Sequence, residues 1–289
     1  MFIIRHKNYF YAFSLLLTLA GLVAFFLLPI RPSLEFTGGS LLEVQYASDS
    51  PAISQMKNSL ASFSLLSLTI QPSEKGRFIL RFQEVSEEKH QAVLAALKNA
   101  KEVRFETVGP LIGSELKQKS ILALIVSVIA TFFYILVAFH RVGGRIKPWK
   151  MSLATIIALV HDVFITASGF IIFAWWTGNE AGIAFVVAAL TIWGYSIHDT
   201  VVVFDRFREK INRGPKGDLR VIAGTSINET IGRSINTSFA AFLLVVFLEI
   251  FGPTILQPFL VTLLIGIVIG TYSSICIAMP LLLERVGKG

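Results

Sequence analysis

Two His-Asp pairs stand in stretches of sequence that are otherwise apolar. They are His161-Asp162 and His198-Asp199. An ionisable side chain inside a membrane-spanning helix costs about 2.5–3.5 kcal/mol on insertion scales, so its presence there suggests a role beyond packing. A buried carboxylate can bind and release a proton, and proton-coupled transport is the first chemistry that these residues suggest.

The carboxylate of Asp199 has a candidate partner on the next helix along the chain. Counted back from Phe204, Asp199 lies roughly 8 Å inside the polar end of its helix, and Arg233 lies at a comparable depth where the following helix enters. Burial and a nearby guanidinium act in opposite directions on the proton affinity of a carboxylate, while arginine itself stays charged. We therefore predict that Asp199 binds the proton and that Arg233 sets its affinity. A static ion pair, or an Arg233 that reaches to lipid phosphates, is the structural alternative.

Other polar residues in these helices are candidates for an accessory proton relay. Asp162 lies roughly 16 Å into its helix, near the midplane, and shares a face with Thr155 and Thr166, so that face is predicted to look into the bundle. Asp162 has two interpretations that the sequence leaves open, transport chemistry and a clamp that hydrogen-bonds neighbouring helices. The accessory candidates are His198, Asp162, His161, Tyr195 and Asn236.

Three other kinds of chemistry are disfavoured. Two isolated His-Asp pairs without further ligands make a poor metal site. An intramembrane aspartyl protease would need Asp162 and Asp199 to face each other in a Gly-x-Gly-Asp context, which the sequence lacks. The Gly-x-x-x-x-Gly-Lys-Ser/Thr motif of a nucleotide-binding loop is also missing. We expect neither an enzyme, nor a bound metal, nor a cofactor.

The elements that position these residues are predicted to be membrane-spanning helices. About 20 apolar residues are needed to cross ~30 Å of hydrocarbon, and six segments meet that requirement. Gly266 and Gly270 in the sixth segment are spaced for close helix packing. The predicted fold class is a polytopic α-helical membrane protein with six transmembrane helices, at residues 8–30, 120–139, 151–176, 182–204, 234–251 and 259–283.

Composition supports this fold class. Hydrophobic residues make up 54% of the 289-residue chain and charged residues only 16%, with a mean hydropathy of +0.67. Soluble domains carry about 25% charged residues, so a soluble cytosolic enzyme is excluded. The single cysteine, Cys276, excludes an internal disulfide framework.

The distribution of basic residues predicts the orientation in the membrane. Lys and Arg are concentrated between spans two and three, between spans four and five, and after span six, whereas the short connections 177–181 and 252–258 contain none. The positive-inside rule then places both termini in the cytoplasm. The net charge of +7 arises mainly from this bias, so no nucleic-acid partner is expected. The predicted organisation is an N-terminus and first span at 1–30, an extracytoplasmic domain at 31–118, and spans two to six at 119–289 with cytoplasmic loops at 140–150 and 205–233.

The domain between the first two spans is polar. Residues 31–119 hold 21 of the 45 charged side chains. Alternating segments predict strands at 41–46, 67–70, 77–82 and 103–108, and helical spacing follows Pro51 and Ser86. The order β-α-β-β-α-β is that of a ferredoxin-like domain. Its residues show no catalytic or metal-binding spacing, and we interpret the domain as a contact or stiffening module.

Several motifs together resemble the SecF branch of the SecD/SecF family of bacterial protein-export membrane subunits. The resemblance covers nearly the whole chain, and its most specific segment is 194–209, which includes the His198-Asp199 pair. The other motifs are Phe36-Thr37-Gly38-Gly39, Val108-Gly109-Pro110 with Gly113-Ser114-Glu115-Leu116, His161-Asp162-Val163, Asn228-Glu229-Thr230 and Arg233-Ser234-Ile235-Asn236-Thr237-Ser238.

The resemblance implies a location, partners and a site. It implies a subunit of the bacterial cytoplasmic membrane, within the RND-like superfamily, that joins a six-span SecD half in a twelve-span pseudo-symmetric unit. It further implies that this unit works beside the SecYEG channel and uses proton flow to promote late export of unfolded polypeptides. The family's span-four aspartate falls on Asp199 and its span-five arginine on Arg233. A further acidic partner is expected on SecD.

Two departures from the family pattern bear on these expectations. His198 stands where asparagine is expected, and a second titratable group beside Asp199 can couple the two titrations. Glu35 precedes Phe36 where aspartate is usual, which keeps the charge. The alternatives are an RND-like exporter of lipids or small molecules and a translocon scaffold that transports nothing.

Overall fold

The computed structural model describes residues 2–46, 51–72, 76–140, 142, 145–213 and 217–286, without the side chains of residues 254, 285 and 286. The chain divides into two compact units, residues 1–31 with 122–289 and residues 32–121. Parts of the two predicted cytoplasmic loops, at 141, 143–144 and 214–216, lie outside the described residues.

Helices dominate the described chain. Six of them are long and apolar enough to cross a membrane, which confirms the six predicted spans. In chain order the helices are Phe2–Arg5 (α1), Lys7–Leu27 (α2), Leu34–Thr37 (α3), Ile53–Leu60 (α4), Glu87–Ala96 (α5), Pro110–Ala138 (α6), Pro148–Thr177 (α7), Ile183–Arg213 (α8), Leu219–Phe251 (α9), Gln257–Ser273 (α10) and Met279–Val286 (α11). The spanning helices are α2, α6, α7, α8, α9 and the composite 257–284, in which a π-helical turn at Ser274–Ala278 joins α10 to α11.

The spanning helices extend beyond the apolar segments that predicted them. The segment 205–233, predicted as a loop, is helical as far as Arg213 and again from Leu219. Asp218 caps the start of α9, where its carboxylate accepts a hydrogen bond of 2.9 Å from the backbone N–H of Arg220. A polar helix end in water needs no apolar face, so hydropathy locates the membrane crossing and not the end of the helix.

Small residues bring the sixth span close to α8. A Cβ atom added at Gly266 would lie 2.2 Å from Ile192 Cδ1, and one added at Gly270 would lie 3.1 Å from Ser196 Cβ. Larger residues at these positions would force the helices apart. The close packing predicted from the Gly-x-x-x-Gly spacing is therefore present, and it brings the backbones near enough for serine side chains to bridge them.

The unit at 32–121 contains a four-stranded antiparallel sheet. Its strands are Gly39–Tyr46 (β1), Thr69–Pro72 (β2), Arg77–Phe82 (β3) and Ala100–Val108 (β4), in the order β2-β3-β1-β4. With α4 and α5 between strands, the elements follow the predicted strand-helix-strand-strand-helix-strand order. The second strand begins at residue 69 rather than 67 because Ser67 has a φ of +59°, which a strand does not accept.

Alternation of apolar side chains explains the core of this unit. Leu42, Val44 and Tyr46 point to the buried face of β1, while the residues between them are only partly covered. Leu42 pairs with Leu80 across the central strands. Met56 and Leu60 of α4 and Val93 of α5 complete the same cluster.

The paired glycines of the Phe-Thr-Gly-Gly motif sit where the chain enters β1. Gly38 has a φ of +69° and Gly39 a φ of +116°, conformations that side chains disfavour. A Cβ at Gly39 would lie 2.7 Å from the carbonyl oxygen of Phe82, and one at Gly38 would lie 3.0 Å from Pro110 Cα. Two of the motifs that carry the family resemblance therefore pack against each other at one edge of this unit.

Candidate functional site

Asp162 lies fully buried on α7 and is held by two other helices. Its Oδ2 accepts hydrogen bonds from the hydroxyl of Ser196 on α8 at 2.6 Å and from that of Ser273 at the end of α10 at 2.5 Å. Its exposed fraction is 0%. Thr155 and Thr166, predicted to share its face, are buried as well. The clamp interpretation of Asp162 is therefore the geometry that the structure displays.

Asp199 on α8 is also buried, with 2% exposed, but its contacts are weaker. Its Oδ2 accepts one hydrogen bond of 3.2 Å from the hydroxyl of Ser238 on α9. That hydroxyl in turn accepts a 2.7 Å bond from Thr271 on α10. A single long bond leaves most of the acceptor capacity of the carboxylate unused.

Two buried hydroxyls beside Asp199 complete no hydrogen bond of standard geometry within the described chain, although that of Ser234 lies near Asp199 and that of Tyr195 near Ser238. They are the phenol of Tyr195, one turn before Asp199 on α8, and the hydroxyl of Ser234, one turn before Ser238 on α9. Buried polar groups are almost always hydrogen-bonded, to protein or to ordered water. Buried groups without a partner also occur beside Asp162, where they are His161 Nε2 and the hydroxyl of Thr166.

The two histidines next to the aspartates differ in exposure. The side chain of His161 is 14% exposed, and its Nδ1 lies 3.0 Å from Asp162 Oδ1. The side chain of His198 is 68% exposed, and its Nδ1 lies 3.8 Å from Asp199 Oδ1. His161 therefore belongs to the buried clamp, whereas His198 stands at the margin of the Asp199 site.

The contact between Asp199 and Arg233 expected from the sequence is not formed. No ion pair joins them within the ranges that the structure describes, and Arg233 lies exposed on α9. The reason is helical geometry. Successive residues are rotated by about 100° around a helix, so when Ser234 and Ser238 face Asp199, Arg233 lies to one side of that contact. Asn236 lies on the exposed side of α9 as well.

Arg233 instead lines a polar groove of about 580 Å³ between α8 and α9. Glu209 and Glu229 line the same groove. Arg206 bridges them, with 2.6 Å contacts to both carboxylates, and Lys210 adds a 2.8 Å contact to Glu229. An ion-pair network therefore joins the polar parts of α8 and α9.

Several residues of these sites were not singled out from the sequence. Ser196, Ser238 and Ser273 supply the hydrogen bonds, and Thr200 on α8 lies 3.0 Å from Ser274 Oγ in the π-helical turn. Serine is common in helices, and Asp162 and Ser273 are 111 residues apart. The available signal was the spacing of Ser234 and Ser238, which repeats the i, i+4 relation on one face.

The unit at 32–121 contains a buried histidine, His90. Its ring stacks on Phe105 at 3.6 Å, and its ring nitrogens lie 3.1 Å from Glu87 and 3.2 Å from Glu102. Hydrogen bonds from Gln91 and His90 lower the pKa of Glu87 below its ordinary value. No group of three or more His, Cys, Asp or Glu residues suited to a metal ion occurs within the described residues.

Comparisons with known proteins point to one family. A family model described as the C-terminal part of the protein export membrane protein SecD/SecF matches residues 88–288. A second, the SecD/SecF GG motif, matches residues 23–49, which contain Gly38 and Gly39. The motifs that carried the resemblance lie within these two matches or between them.

Relatives of known name match most of the chain. The protein translocase subunit SecF of Thermobaculum terrenum is 34% identical over 99% of this chain and 94% of its own length. SecF of Helicobacter pylori is 34% identical over 95% of this chain and 84% of its own length. The protein translocase subunit SecDF of Brucella abortus is 34% identical over 87% of this chain, which corresponds to 33% of that longer protein.

Solved structures agree with the sequence comparison. SecDF from Thermus thermophilus, described as a translocon-associated membrane protein, superposes with a TM-score of 0.80 at 28% identity and 98% coverage of this chain. The chain spans only 38% of that SecDF polypeptide. A SecDF structure in a super-membrane-facing form gives a TM-score of 0.68. The chain therefore belongs to the SecD/SecF family of protein-export membrane proteins.

Proposed function

We propose that this chain is the SecF half of a proton-coupled accessory unit of bacterial protein export, with Asp199 as its proton-binding group. The unit would pair with a SecD half in the cytoplasmic membrane and act beside the SecYEG channel on unfolded polypeptides. Both termini would lie in the cytoplasm and residues 31–118 outside it. The family membership and the named relatives support the export role.

One observation carries the proton-coupling part of the proposal. Asp199 is buried in a spanning helix, yet within the described chain its one hydrogen bond of standard geometry is the 3.2 Å bond from Ser238, with Ser234 and His198 as weaker contacts. Beside it, the buried hydroxyls of Tyr195 and Ser234 complete no hydrogen bond of standard geometry among the residues described. A buried acid with unused acceptor capacity and nearby hydroxyls can change its protonation without breaking the helix packing.

The exposed polar face of α9 supports the need for a partner half. Arg233, Asn236 and Thr237 lie exposed on a helix long and apolar enough to span the membrane. Arg233 lines a polar groove on one side, and a partner that covers its exposed side and offers an acidic group would stabilise the assembly. In the SecDF protein of Brucella abortus, the part that matches this chain is 33% of a longer polypeptide. That arrangement supports this pairing.

In the proposed cycle the proton changes what Asp199 attracts. A neutral Asp199 needs no cation nearby, which suits the present arrangement with Arg233 to one side. A charged Asp199 favours the approach of Arg233, which requires α9 to rotate or shift relative to α8. Because Arg233 stays charged throughout, it can respond to the proton without carrying it. Movement of α9 against α8 is then the step that transmits proton exchange to the rest of the unit.

The test is proton flux in vesicles that contain this chain and its SecD partner. Asp199→Asn is expected to abolish flux and to reduce export of a secreted reporter, with normal amounts of protein in the membrane. Asp205→Asn is the matched control, because that acid is exposed at the end of the same helix and pairs with Arg208. Unchanged flux in Asp199→Asn would refute proton coupling and leave the scaffold alternative. Failure to copurify with SecD and the channel would instead favour an exporter of lipids or small molecules.

A further inference from the structure

An apolar groove opens between α1, α9 and the sixth span. The groove has a volume of about 520 Å³, and its lining includes Ile3, Ile235, Phe239, Val268 and Cys276. The hydroxyls of Ser238 and Thr271 also belong to its wall, but they bond inward to each other and to Asp199. The surface that the groove offers to an occupant is therefore hydrocarbon-like.

A second cavity, of about 530 Å³, lies along the same three elements near the chain termini. Three basic residues line it, Arg5, Lys7 and Arg220, together with the carboxylates of Asp218 and Glu284. Lys7 is paired with Glu284 at 2.5 Å. Arg5 and Arg220 are exposed and take part in no ion pair with another described residue. Two guanidinium groups are therefore available at this end of the groove.

The two cavities are placed in series. Ile3 lines the first and Ile4 the second, while α9 contributes Val221 to the second and Ile231 through Phe242 to the first. At 1.5 Å per residue, the stretch from Ile231 to Phe242 is about 17 Å long. One leaflet of a ~30 Å hydrocarbon core is about 15 Å deep. The groove thus has the length of a single leaflet. Along α9, Arg220 lies about 17 Å before Ile231, so the basic cavity adjoins the groove through Ile3 and Ile4 of α1.

We propose that this groove binds one anionic phospholipid, with its phosphate held by Arg5 and Arg220 and an acyl chain lying against Ile235 and Val268. Guanidinium groups bind phosphate oxygens in bidentate geometry, and basic pockets between spanning helices bind anionic headgroups. A partner helix would fill the apolar part but would leave the two arginines without an anion.

The site has a consequence for the Asp199 network. Ser238 and Thr271 separate the groove from Asp199. An acyl chain in the groove would keep water away from that side, so water could reach the acid only from elsewhere. The lipid would therefore act as a wall of the proposed proton site, although its binding does not depend on proton coupling.

The first test measures lipid retention by the purified full-length chain in native mass spectrometry. The wild type is expected to retain one phosphatidylglycerol, and to bind it at least ten-fold more tightly than phosphatidylcholine. The double substitution Arg5→Gln with Arg220→Gln is expected to lower the affinity at least ten-fold. Arg213→Gln is the matched control, since that side chain is exposed at the end of α8; it should change nothing. Equal retention of the two lipids, or no effect of the double substitution, would overturn the proposal.

The second test distinguishes binding of a lipid from binding of a free anion. Val268→Trp should fill the groove and lower phosphatidylglycerol binding at least ten-fold, whereas Leu244→Trp, exposed on α9 outside the groove, should not. Two results would show a simple anion site instead. One is that inorganic phosphate displaces phosphatidylglycerol as effectively as added lipid does; the other is that Val268→Trp leaves phosphatidylglycerol binding unchanged.

Cys276 provides an internal probe because it is the only cysteine and lines the groove. Phosphatidylglycerol should slow its alkylation by a membrane-soluble maleimide in the wild type but not in the arginine double variant. Protection that follows addition of the SecD half, whatever the lipid, would assign the groove to a protein partner and refute the proposal.

Discussion

The two His-Asp pairs are the same dipeptide on neighbouring helices, yet the hydrogen bonds around their aspartates differ. Asp162 is fully buried and accepts short bonds from Ser196 and Ser273. Asp199 is nearly as buried but accepts one longer bond, from Ser238. Burial alone therefore does not distinguish a structural acid from a functional one. We propose that the number and strength of the hydrogen bonds that neighbouring helices supply distinguish the two.

The adjoining histidines sharpen the difference. His161 is mostly buried and in contact with its aspartate, while His198 projects largely into the surroundings. Both surroundings keep buried polar groups without a partner among the described residues: His161 Nε2 and the Thr166 hydroxyl near Asp162, and the Tyr195 and Ser234 hydroxyls near Asp199. What differs is that two short bonds fix the helices around Asp162, whereas one long bond leaves the helices around Asp199 more room for rearrangement. We therefore expect substitutions around Asp162 to change stability, and substitutions around Asp199 to change proton transport.

The largest effect is expected from Asp162→Ala. It removes the acceptor shared by Ser196 and Ser273, leaves both hydroxyls buried, and opens a small cavity. The expected loss is about 2–5 kcal/mol of unfolding free energy, measured by unfolding of the purified chain in detergent. Asp199→Ala, which removes one long bond, should cost clearly less. Equal losses would break the distinction between the two sites.

A smaller loss is expected from Gly270→Ala. The added methyl would press on Ser196, whose Cβ would be 3.1 Å away, and displace a donor of Asp162. Overpacking of this kind costs about 1–3 kcal/mol. The same substitution at Gly232 on α9, where a Cβ meets nothing within 4 Å, should be neutral or stabilising, because alanine is the better helix former. Unfolding midpoints of the two variants provide the comparison, and matching shifts would contradict it.

The serine donors give the next contrast. Ser273→Ala removes a 2.5 Å bond to Asp162 and should cost about 1–2 kcal/mol. Ser238→Ala removes a 3.2 Å bond to Asp199 and should cost less in unfolding free energy, while changing the proton flux. A Ser238→Ala protein with wild-type flux and a large loss of stability would reverse the roles assigned to the two clusters.

The sequence was sufficient to predict the elements and insufficient to predict their contacts. Length and hydropathy predicted six spans because the membrane requirement is local to each segment. Alternation predicted the sheet for the same reason, since Leu42, Val44 and Tyr46 follow the pleat. Both predictions depend on residues close together in the chain.

The details of the site depend on contacts between distant residues. The bond from Ser273 to Asp162 requires the rotation of α10 about its axis, and Arg233 lies to one side because Ser234 and Ser238 are the residues directed at Asp199. The π-helical turn at Ser274–Ala278 adds a residue to one turn. Hydropathy contains none of this information, so the direction of the Arg233 side chain could not be predicted from the sequence.

The smallest effect is expected from His198→Asn, which tests how far the Asp199 site depends on its neighbour. The imidazole lies 3.8 Å from the carboxylate but is 68% exposed. Solvent around the exposed imidazole screens its charge, so the two groups interact less strongly than a fully buried pair would. The pH of half-maximal proton flux should therefore shift, with the maximal flux retained. His161→Asn should instead lower stability without moving the pH profile. Complete loss of flux in His198→Asn would make the histidine part of the proton path, and the exposed residue, rather than the buried acid, would then be the group to which the proton first binds.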